Sequence, residues 1–278
     1  MVQKILVQGG VPPKTFWLLA FSMSDESVAL GMYSLNSGLE NAWQSLFILA
    51  AENNPDLALP KKFLNTVESE IITSNNVRIS HICGYPLISE YMDIFTPLCA
   101  PHFDIEGFDG AEYFSYFVTR SSCPIDSIIE CKGFVAVANS FNSNSGMSVL
   151  RHEIEVVKGQ GPIDMFFSGL FYSGSHKRSI QCIIDEDADI ASIDASCYHY
   201  LQQQNPELSK QLKIIGQSIK TSSPPFVTHT NNPLCSPVEL TEALNESLLS
   251  LPDENIESLN IKKFSVVSYS DYEEMFAL

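Results

Sequence analysis

Apolar residues along the chain form two alternating patterns: short continuous runs, and positions spaced three or four residues apart. Runs at 28–32 and 133–138, the aromatic-rich stretch at 113–119 and the segment at 78–82 predict strands. After the first run, helical spacing predicts one apolar helix face formed by Leu39, Ala42, Trp43, Leu46, Phe47 and Ala50. Ser37 and Glu40 have the spacing of a capping box at the start of this helix, and a second helix is predicted to begin near Pro60.

The second half of the chain repeats this alternation. A helix face follows the run at 133–138 and consists of Met147, Leu150, Ile154 and Val157. A strand or turn at 164–171 precedes a helix that begins after Ser175, and a buried strand at 189–193 leads into a helix that runs to Asn205. Strands that alternate with helices of ten or more residues imply mixed, mostly parallel sheets flanked by helices. The pattern therefore predicts an α/β protein of two closely joined lobes.

Composition and charge restrict the classes of partner. The chain has 278 residues, 45% of them hydrophobic, which is enough apolar material for a folded core. Its net charge is −17. Nucleic acid and anionic membranes both need a basic surface, so this charge argues against either partner. No segment approaches the roughly 20 apolar residues of a membrane-spanning helix, so no membrane insertion is predicted. A small anion is still compatible, because a local pocket can be positive on an acidic protein.

The cysteines and the start of the chain bear on its location. Seven widely spaced cysteines without a CxxC pair do not resemble a disulfide framework or a zinc site, and they favour free thiols in a reducing compartment. The apolar stretch from Thr15 to Met23 is near the lower length limit of an export signal, but acidic and polar residues follow it instead of a cleavage site. We interpret residues 1–26 as a leader or an over-extended start, and we predict a cytoplasmic protein.

The first candidate site is the polar loop at 142–146, directly before a predicted helix. The hydroxyls of Ser143 and Ser145, the backbone N–H groups around Asn144 and the positive helix end can together bind a phosphate-like or carboxylate anion. The alternative is that one of the serines only caps the helix.

The second candidate site, Ser175 with His176, repeats this arrangement at the next strand-to-helix junction. Lys177 and Arg178 follow in the same turn, where cations oppose the helix dipole. Either a bound anion compensates these cations or they are simply exposed to solvent. Two such helix starts in one lobe favour a shared ligand.

Three further side chains can reach the same region. Asp194 follows the strand at 189–193, where its carboxylate can accept a hydrogen bond from a protonated ligand oxygen or from a ligand amine, orient His176 or cap the next helix. Tyr33 and Tyr85 each end a short strand of the first lobe. Their hydroxyls can face the cleft, or the rings can simply pack in the core.

Signals for catalysis are weak. The sequence contains no GxSxG, HExxH, P-loop or GxGxxG motif. Cys83 lies two residues from His81, and Cys197 lies two residues from His199, a spacing that does not by itself form a nucleophile–base pair. The sequence therefore predicts no catalytic residues, no metal site and no cofactor.

Taken in order, five stretches resemble the phosphate, phosphite and phosphonate substrate-binding proteins of ABC transporters, which have the type 2 periplasmic-binding-protein fold. The stretches are Gly31–Tyr33 with the Trp43 helix, Cys83–Leu87, Phe134–Leu150, Gly174–Ser179 and Ala188–Asp194. The proline-rich segment Pro224–Val227 matches the family's return to the first lobe. The resemblance covers roughly residues 27–265, and the ordered set is specific although each stretch is short.

This resemblance implies two α/β lobes with a ligand cleft between them. The first lobe would hold residues 27–120 and 226–278, the second lobe residues 130–222, and the crossing segments would lie near 121–129 and 222–226. By position, the family's ligand contacts fall on Tyr33, Tyr85, Ser143, Asn144, Ser145, Ser175, His176 and Asp194.

We therefore expect a non-catalytic, monomeric protein that closes on a small oxyanion of the phosphate, phosphite or phosphonate type. The resemblance implies an ABC-transporter permease as a partner, and a periplasmic location as the alternative to the cytoplasm. Two other functions remain open, because a fold does not fix a function. They are a soluble enzyme of the cofactor-biosynthetic type, with His176 and Asp194 as its acid–base groups, and a cytoplasmic ligand sensor.

Overall fold

The computed structural model describes residues 26–65, 71, 74 and 76–278, so the predicted leader at 1–26 lies outside the described residues except for Glu26. The strands are β1 (Ser27–Ala29), β2 (Lys62–Leu64), β3 (Val77–His81), β4 (Phe95–Phe103), β5 (Glu112–Tyr113), β6 (Ser115–Arg120), β7 (Val135–Ala138), β8 (Gly169–Tyr172), β9 (Ile190–Asp194), β10 (Leu212–Gln217), β11 (Thr221–Ser222), β12 (Phe226–His229) and β13 (Ile261–Val266). The α-helices are α1 (Ser37–Asn53), α2 (Gly84–Ser89), α3 (Val149–His152), α4 (Ile163–Phe166), α5 (His176–Ile184), α6 (Ala195–Gln204), α7 (Leu208–Gln211), α8 (Pro237–Leu248) and α9 (Asp253–Leu259). Wide π-helical turns at Asn144–Ser148 and Glu153–Val157 extend α3 in both directions. No helix in the described parts of the chain is long and apolar enough to span a membrane.

The first lobe is built on a six-stranded sheet with the order β13-β4-β12-β3-β1-β2. Helix α1 packs against α8 and α9, and it buries the predicted apolar face, including Trp43 and Phe47. The N-cap of α1 is not the predicted Ser37. Asn36 is the N-cap and accepts a hydrogen bond from the Leu39 N–H at 2.9 Å, so Ser37 is the first helical residue. Asparagine is among the preferred residues at this position.

The second lobe is built on a five-stranded sheet with the order β10-β6-β9-β7-β8, and it has an apolar cluster on each face. Arg120 at the end of β6 ties this sheet to the turn after α5. It donates hydrogen bonds to the carbonyl oxygens of Ile183 and Ala188 and forms an ion pair with Asp189 at 3.1 Å. Strands β7, β8 and β9 run parallel, and each one leads into a helical segment at its carboxyl end. Ligands of open α/β sheets bind at that edge.

A two-stranded antiparallel ribbon of β5 and β11 lies where the chain passes between the sheets. Strand β6 lies in the second sheet between β10 and β9, so the assignment of residues 115–120 to the first lobe is wrong. The first crossing is at β5 instead of near 121–129, and the second, at β11, lies next to the predicted segment at 222–226. The aromatic-rich stretch at 113–119 contains no glycine, proline, asparagine or aspartate, and for this reason it resembled one strand of one lobe.

The sheets are mixed, as predicted, but they are not mostly parallel. Strand β1 pairs in parallel with β2 and β3, and β7 pairs in parallel with β8 and β9. The other pairings between described strands are antiparallel. They involve β4, β10, β12 and β13, whose patterns did not identify them as strands. Pro97 and Pro101 obscure β4, because proline is depleted in sheet interiors. Strand β2 occupies the position at which the second helix was predicted to begin.

Candidate functional site

A cavity of about 490 Å³ lies between the two lobes, at the carboxyl ends of β7, β8 and β9. Its second-lobe wall is formed by residues that directly follow these strands, between 139 and 145, at 174–176, and at Asp194 with Cys197. Among the described residues that line the cavity there is no lysine or arginine. An anion bound here would therefore be held by hydrogen-bond donors and by helix ends.

Three helical segments begin at this wall, and the N-cap residue of each one lines the cavity. Ser143 accepts a hydrogen bond from the Gly146 N–H at 3.0 Å, and Ser175 accepts one from the Arg178 N–H at 3.2 Å. Asp194 caps α6. The capping role and the ligand-binding role of the serines are therefore compatible, because a hydroxyl that accepts from its own helix can still donate to a ligand.

Ser145 and His176 form a buried pair at the centre of this wall. The Ser145 Oγ lies 2.9 Å from the His176 Nε2 and 3.4 Å from the Ser143 Oγ. The Ser192 hydroxyl on β9 donates to the Ser145 carbonyl oxygen at 2.5 Å, which fixes the turn to the sheet. Burial lowers the pKa of His176 to about 4, against a smaller opposing effect of the Ser192 backbone. The ring is therefore neutral at pH 7 and can act as a hydrogen-bond donor or acceptor.

Asp194 joins the two lobes. Its Oδ2 accepts a hydrogen bond from the Tyr33 hydroxyl of the first lobe at 3.1 Å, and its Oδ1 accepts the N–H groups of Ser196 at 2.7 Å and Cys197 at 3.3 Å. Burial raises the pKa of Asp194 to about 6, although these hydrogen bonds act in the opposite direction. Burial also raises the pKa of Tyr33, with a contribution from the charge of Asp194. Asp194 therefore changes its protonation state close to neutral pH.

The structure separates the eight predicted site residues into two groups. Five of them line the cavity: Ser143, Ser145, Ser175, His176 and Asp194. Tyr33 contacts the cavity through Asp194. The Asn144 side chain is fully buried and donates to the Tyr113 hydroxyl at 3.1 Å and to Thr221 at 2.8 Å, so it ties the second lobe to the crossing ribbon. Tyr85 packs against an apolar cluster of the first lobe and is not among the described lining residues.

The cavity also contains residues that the sequence analysis did not select. Tyr91 and Tyr113 line it, and so does His81, the last residue of β3. His81 donates from Nε2 to the Pro224 carbonyl oxygen at 3.0 Å, and burial lowers its pKa to about 3. The signal that selected Asp194, a polar residue at the carboxyl end of a buried parallel strand, applies equally to His81. Lys177 and Arg178 are exposed, so solvent can stabilise these two cations at the helix start without a bound anion.

One group of described residues could hold a metal ion by donor type. Ligand atoms of His176, Asp194 and Cys197 all lie within 4.8 Å of one another. All three residues lie at helix N-termini, where the dipole favours an anion and opposes a cation. Burial also raises the pKa of the Cys197 thiol, and the thiolate is the form that binds metals. The electrostatics of this wall therefore favour an anionic ligand.

One family model matches the chain. The family, described as the periplasmic substrate-binding protein of a phosphonate ABC transporter, matches residues 90–272. A search of curated proteins finds no match.

Solved structures show the same fold. A binding-protein component of an ABC phosphonate transporter from Pseudomonas aeruginosa superposes with a TM-score of 0.69 at 17% identity, covering 90% of this chain and 84% of that one. PhnD1 from Prochlorococcus marinus, in complex with methylphosphonate, gives a TM-score of 0.69 at 16% identity, covering 91% of this chain and 95% of that one. The arginine-, lysine- and histidine-binding protein ArtJ from Geobacillus stearothermophilus is more distant, with a TM-score of 0.55 at 15% identity over 86% and 96% of the two chains. The predicted two-lobed α/β fold is therefore confirmed.

The family match extends over more than half of the chain and spans strands of both sheets. The family consists of substrate-binding components and not of enzymes, so the predicted non-catalytic binding role is confirmed. The chain belongs to the family of periplasmic substrate-binding proteins of phosphonate ABC transporters.

Proposed function

We propose that this protein binds a phosphonate or a related small phosphorus oxyanion in the cavity between its lobes and delivers it to an ABC transporter. The observation that carries the proposal is the convergence of three helix N-termini on one hydroxyl-lined cavity. Aligned peptide dipoles and free N–H groups at such ends favour negative charge. The relative from Prochlorococcus marinus, which has the same fold, is described in complex with methylphosphonate.

Each side chain of the second-lobe wall has a distinct role in this proposal. The hydroxyls of Ser143, Ser145 and Ser175 donate hydrogen bonds to the anion. The neutral His176 ring donates from Nε2 to the Ser145 hydroxyl oxygen, which leaves the hydroxyl hydrogen of Ser145 free to donate to the anion. Asp194 accepts a hydrogen bond from a protonated ligand oxygen. Among the described residues that line the cavity, it is the one with a carboxylate, and an ionised carboxylate can only accept hydrogen bonds.

Two predicted residues have contacts elsewhere in the protein, and we leave them out of the proposed ligand set. The Asn144 amide holds the crossing ribbon, and the Tyr85 ring packs in the first lobe. Tyr33 acts on the ligand through Asp194, to which it donates its hydroxyl hydrogen.

The family description also bears on location and partners. Because the family is periplasmic, it favours the periplasmic alternative over the cytoplasmic location that we predicted from the cysteines and from residues 1–26. We propose that the protein acts in the periplasm, as a monomer, and that a transporter permease accepts the ligand from its closed form.

Calorimetric titration with methylphosphonate tests the anion site. Hydrogen bonds to charged groups contribute about 1.5–3 kcal/mol, so we expect Ser145→Ala and His176→Ala each to weaken binding by roughly tenfold or more. Lys177→Ala is the matched control, since this side chain lies in the same helical turn as His176 but is exposed to solvent.

Thermal unfolding identifies variants that merely fail to fold. Ligand at 100 times its dissociation constant should stabilise the wild-type protein by about 2.7 kcal/mol. Unchanged affinity in both folded variants would contradict the assigned site. If methylphosphonate, phosphite and phosphate all fail to bind the wild-type protein, the proposed ligand class is wrong.

A further inference from the structure

The two walls of the cavity differ in chemistry. The second-lobe wall consists of serine, asparagine and histidine side chains with helix N-termini, together with Gly174, Asp194 and Cys197. Opposite this polar surface, the described part of the first-lobe wall includes Met32, Leu35, Ile71, Pro86 and Pro224. A ligand that fits both walls must carry an anionic group on one side and an apolar group on the other.

Polar residues of the first-lobe wall already have partners within the protein. The Ser34 hydroxyl donates to Glu40, and the His81 ring donates to the Pro224 carbonyl oxygen. The described residues of this wall include no carboxylate, lysine or arginine. A charged substituent that contacts this wall would therefore lose its hydration without gaining an ion pair from it, which is costly in a buried site. The Asp194 carboxylate of the opposite wall already accepts hydrogen bonds from the Tyr33 hydroxyl and from the N–H groups of Ser196 and Cys197.

The cavity is also large for an inorganic oxyanion. Its volume of about 490 Å³ falls within the range of roughly 300–1,000 Å³ that is typical of sites for organic ligands. A tetrahedral oxyanion at the helix ends would leave the first-lobe wall in contact with water. A substituent of several carbon atoms would replace that water and bury apolar surface.

We propose that the preferred ligand is an organophosphonate with an uncharged alkyl substituent longer than methyl, whose chain contacts Met32, Leu35 and Ile71. This inference rests on the proposed function, since it assumes that the phosphonate group lies at the helix ends. Each buried methylene strengthens binding about fourfold. Affinity should therefore rise from methylphosphonate to n-propylphosphonate by on the order of tenfold.

The decisive comparison is between n-propylphosphonate and 2-aminoethylphosphonate, which have the same length and differ in a terminal methyl or ammonium group. Titration calorimetry with the full chain should show the propyl compound binding at least about tenfold more tightly, because the ammonium group finds no partner on the first-lobe wall. Equal or tighter binding of the aminoethyl compound would overturn the inference. So would inorganic phosphate binding as tightly as n-propylphosphonate.

A single substitution on the first-lobe wall should reverse this preference. Met32 is partly buried and lines the cavity, so Met32→Glu places a carboxylate where the alkyl chain is expected to lie. We expect Met32→Glu to weaken n-propylphosphonate and to strengthen 2-aminoethylphosphonate, each by about tenfold. Met32→Gln has a similar shape without the charge and should weaken both ligands without inverting their order.

Met165→Glu controls for the change in net charge, because Met165 is 80% exposed on the second lobe and should leave both affinities unchanged. If Met32→Glu is folded and leaves the preference unchanged, the assignment of the alkyl side to this wall is wrong. The two proposals fail in different ways. If the wild-type protein binds none of the phosphonates, the proposed function is contradicted. If methylphosphonate, n-propylphosphonate, 2-aminoethylphosphonate and inorganic phosphate bind with equal affinity, only the inference about the substituent is contradicted.

Discussion

His81 and His176 face the same cavity from opposite lobes, and the difference between them separates packing from binding. His81 stacks on Phe226 with ring centroids 4.2 Å apart and also contacts Tyr33 and Trp43. His176 lies among hydroxyl groups and bonds to Ser145. Burial lowers both pKa values, to about 3 and about 4. Burial and a shifted pKa therefore do not distinguish a histidine that packs among aromatic rings from one that we propose to act in binding, whereas the neighbours of the two rings differ.

The largest expected effect comes from removing the first-lobe ring. His81→Ala leaves a cavity within an aromatic cluster, and truncation of large buried side chains costs roughly 2–5 kcal/mol. His176→Ala removes one polar contact beside an existing cavity, so we expect about 1–2 kcal/mol. Urea unfolding of both variants measures these free energies.

The two substitutions should rank in the opposite order by their effect on ligand affinity. The folded fraction of His81→Ala should retain most of its affinity for methylphosphonate, whereas His176→Ala should lose it. If His176→Ala loses more unfolding free energy than His81→Ala, the histidine of the second lobe is the structural one, and the assignment of packing to His81 and binding to His176 is wrong.

The next effect concerns the carboxylate at which the lobes meet. Because burial raises the pKa of Asp194 from 3.8 to about 6, its contribution to stability is fully present below about pH 4 and is lost as the pH rises through 6. Asp194→Asn removes this titration and keeps a side chain that can cap α6. Relative to the variant, the wild-type protein should therefore lose up to about 3 kcal/mol of unfolding free energy between pH 4 and pH 7.

Unfolding curves measured at intervals across this range give the difference directly. His176 titrates in both proteins, so its opposite contribution largely cancels in the comparison. The same substitution at the exposed Asp187 controls for the loss of one formal charge. A pH-independent difference between the wild-type protein and Asp194→Asn would show that this carboxyl group does not titrate as its burial requires.

Local signals in the sequence predicted the second lobe better than the first. Ser143, Ser175 and Asp194 each follow a buried strand and precede a helix, and the structure brings all three to one cavity. The rule that ligands bind at the carboxyl ends of parallel strands depends only on element order, which can be recognised from hydrophobic spacing. For this reason five residues of the polar half could be predicted, whereas its other lining residues, such as Asn139, Ser140 and Cys197, were not.

The first-lobe wall depends on contacts between distant parts of the chain. Tyr33 meets Asp194 across 161 residues, and His81 meets Pro224 across 143 residues. Hydrophobic spacing does not show which residues of different strands become neighbours. Strand β4 illustrates the same limit, since pairing on both sides retains it in the sheet despite its two prolines.

The smallest expected effects distinguish two hydrogen bonds that join the lobes. Tyr33 donates to Asp194 at 3.1 Å in a buried position, and the Asn142 amide donates to Glu90 at 3.4 Å in an exposed one. Removing a buried donor costs about 1–2 kcal/mol, so Tyr33→Phe should weaken ligand binding by roughly fivefold to thirtyfold. It should also raise the apparent pKa of Asp194 further, because the Tyr33 hydrogen bond lowers that pKa.

Asn142→Ala is the matched control for a bond across the same cavity. Water replaces an exposed hydrogen bond at little cost, so we expect less than a twofold change in affinity and no change in the pH dependence of binding. Calorimetric titration with methylphosphonate at pH 5.5 and pH 7.5 measures both quantities. If Asn142→Ala weakens binding as much as Tyr33→Phe, contacts at the rim hold the lobes together. If only Tyr33→Phe weakens it, the buried Tyr33–Asp194 bond couples closure of the lobes to the protonation state of the cavity.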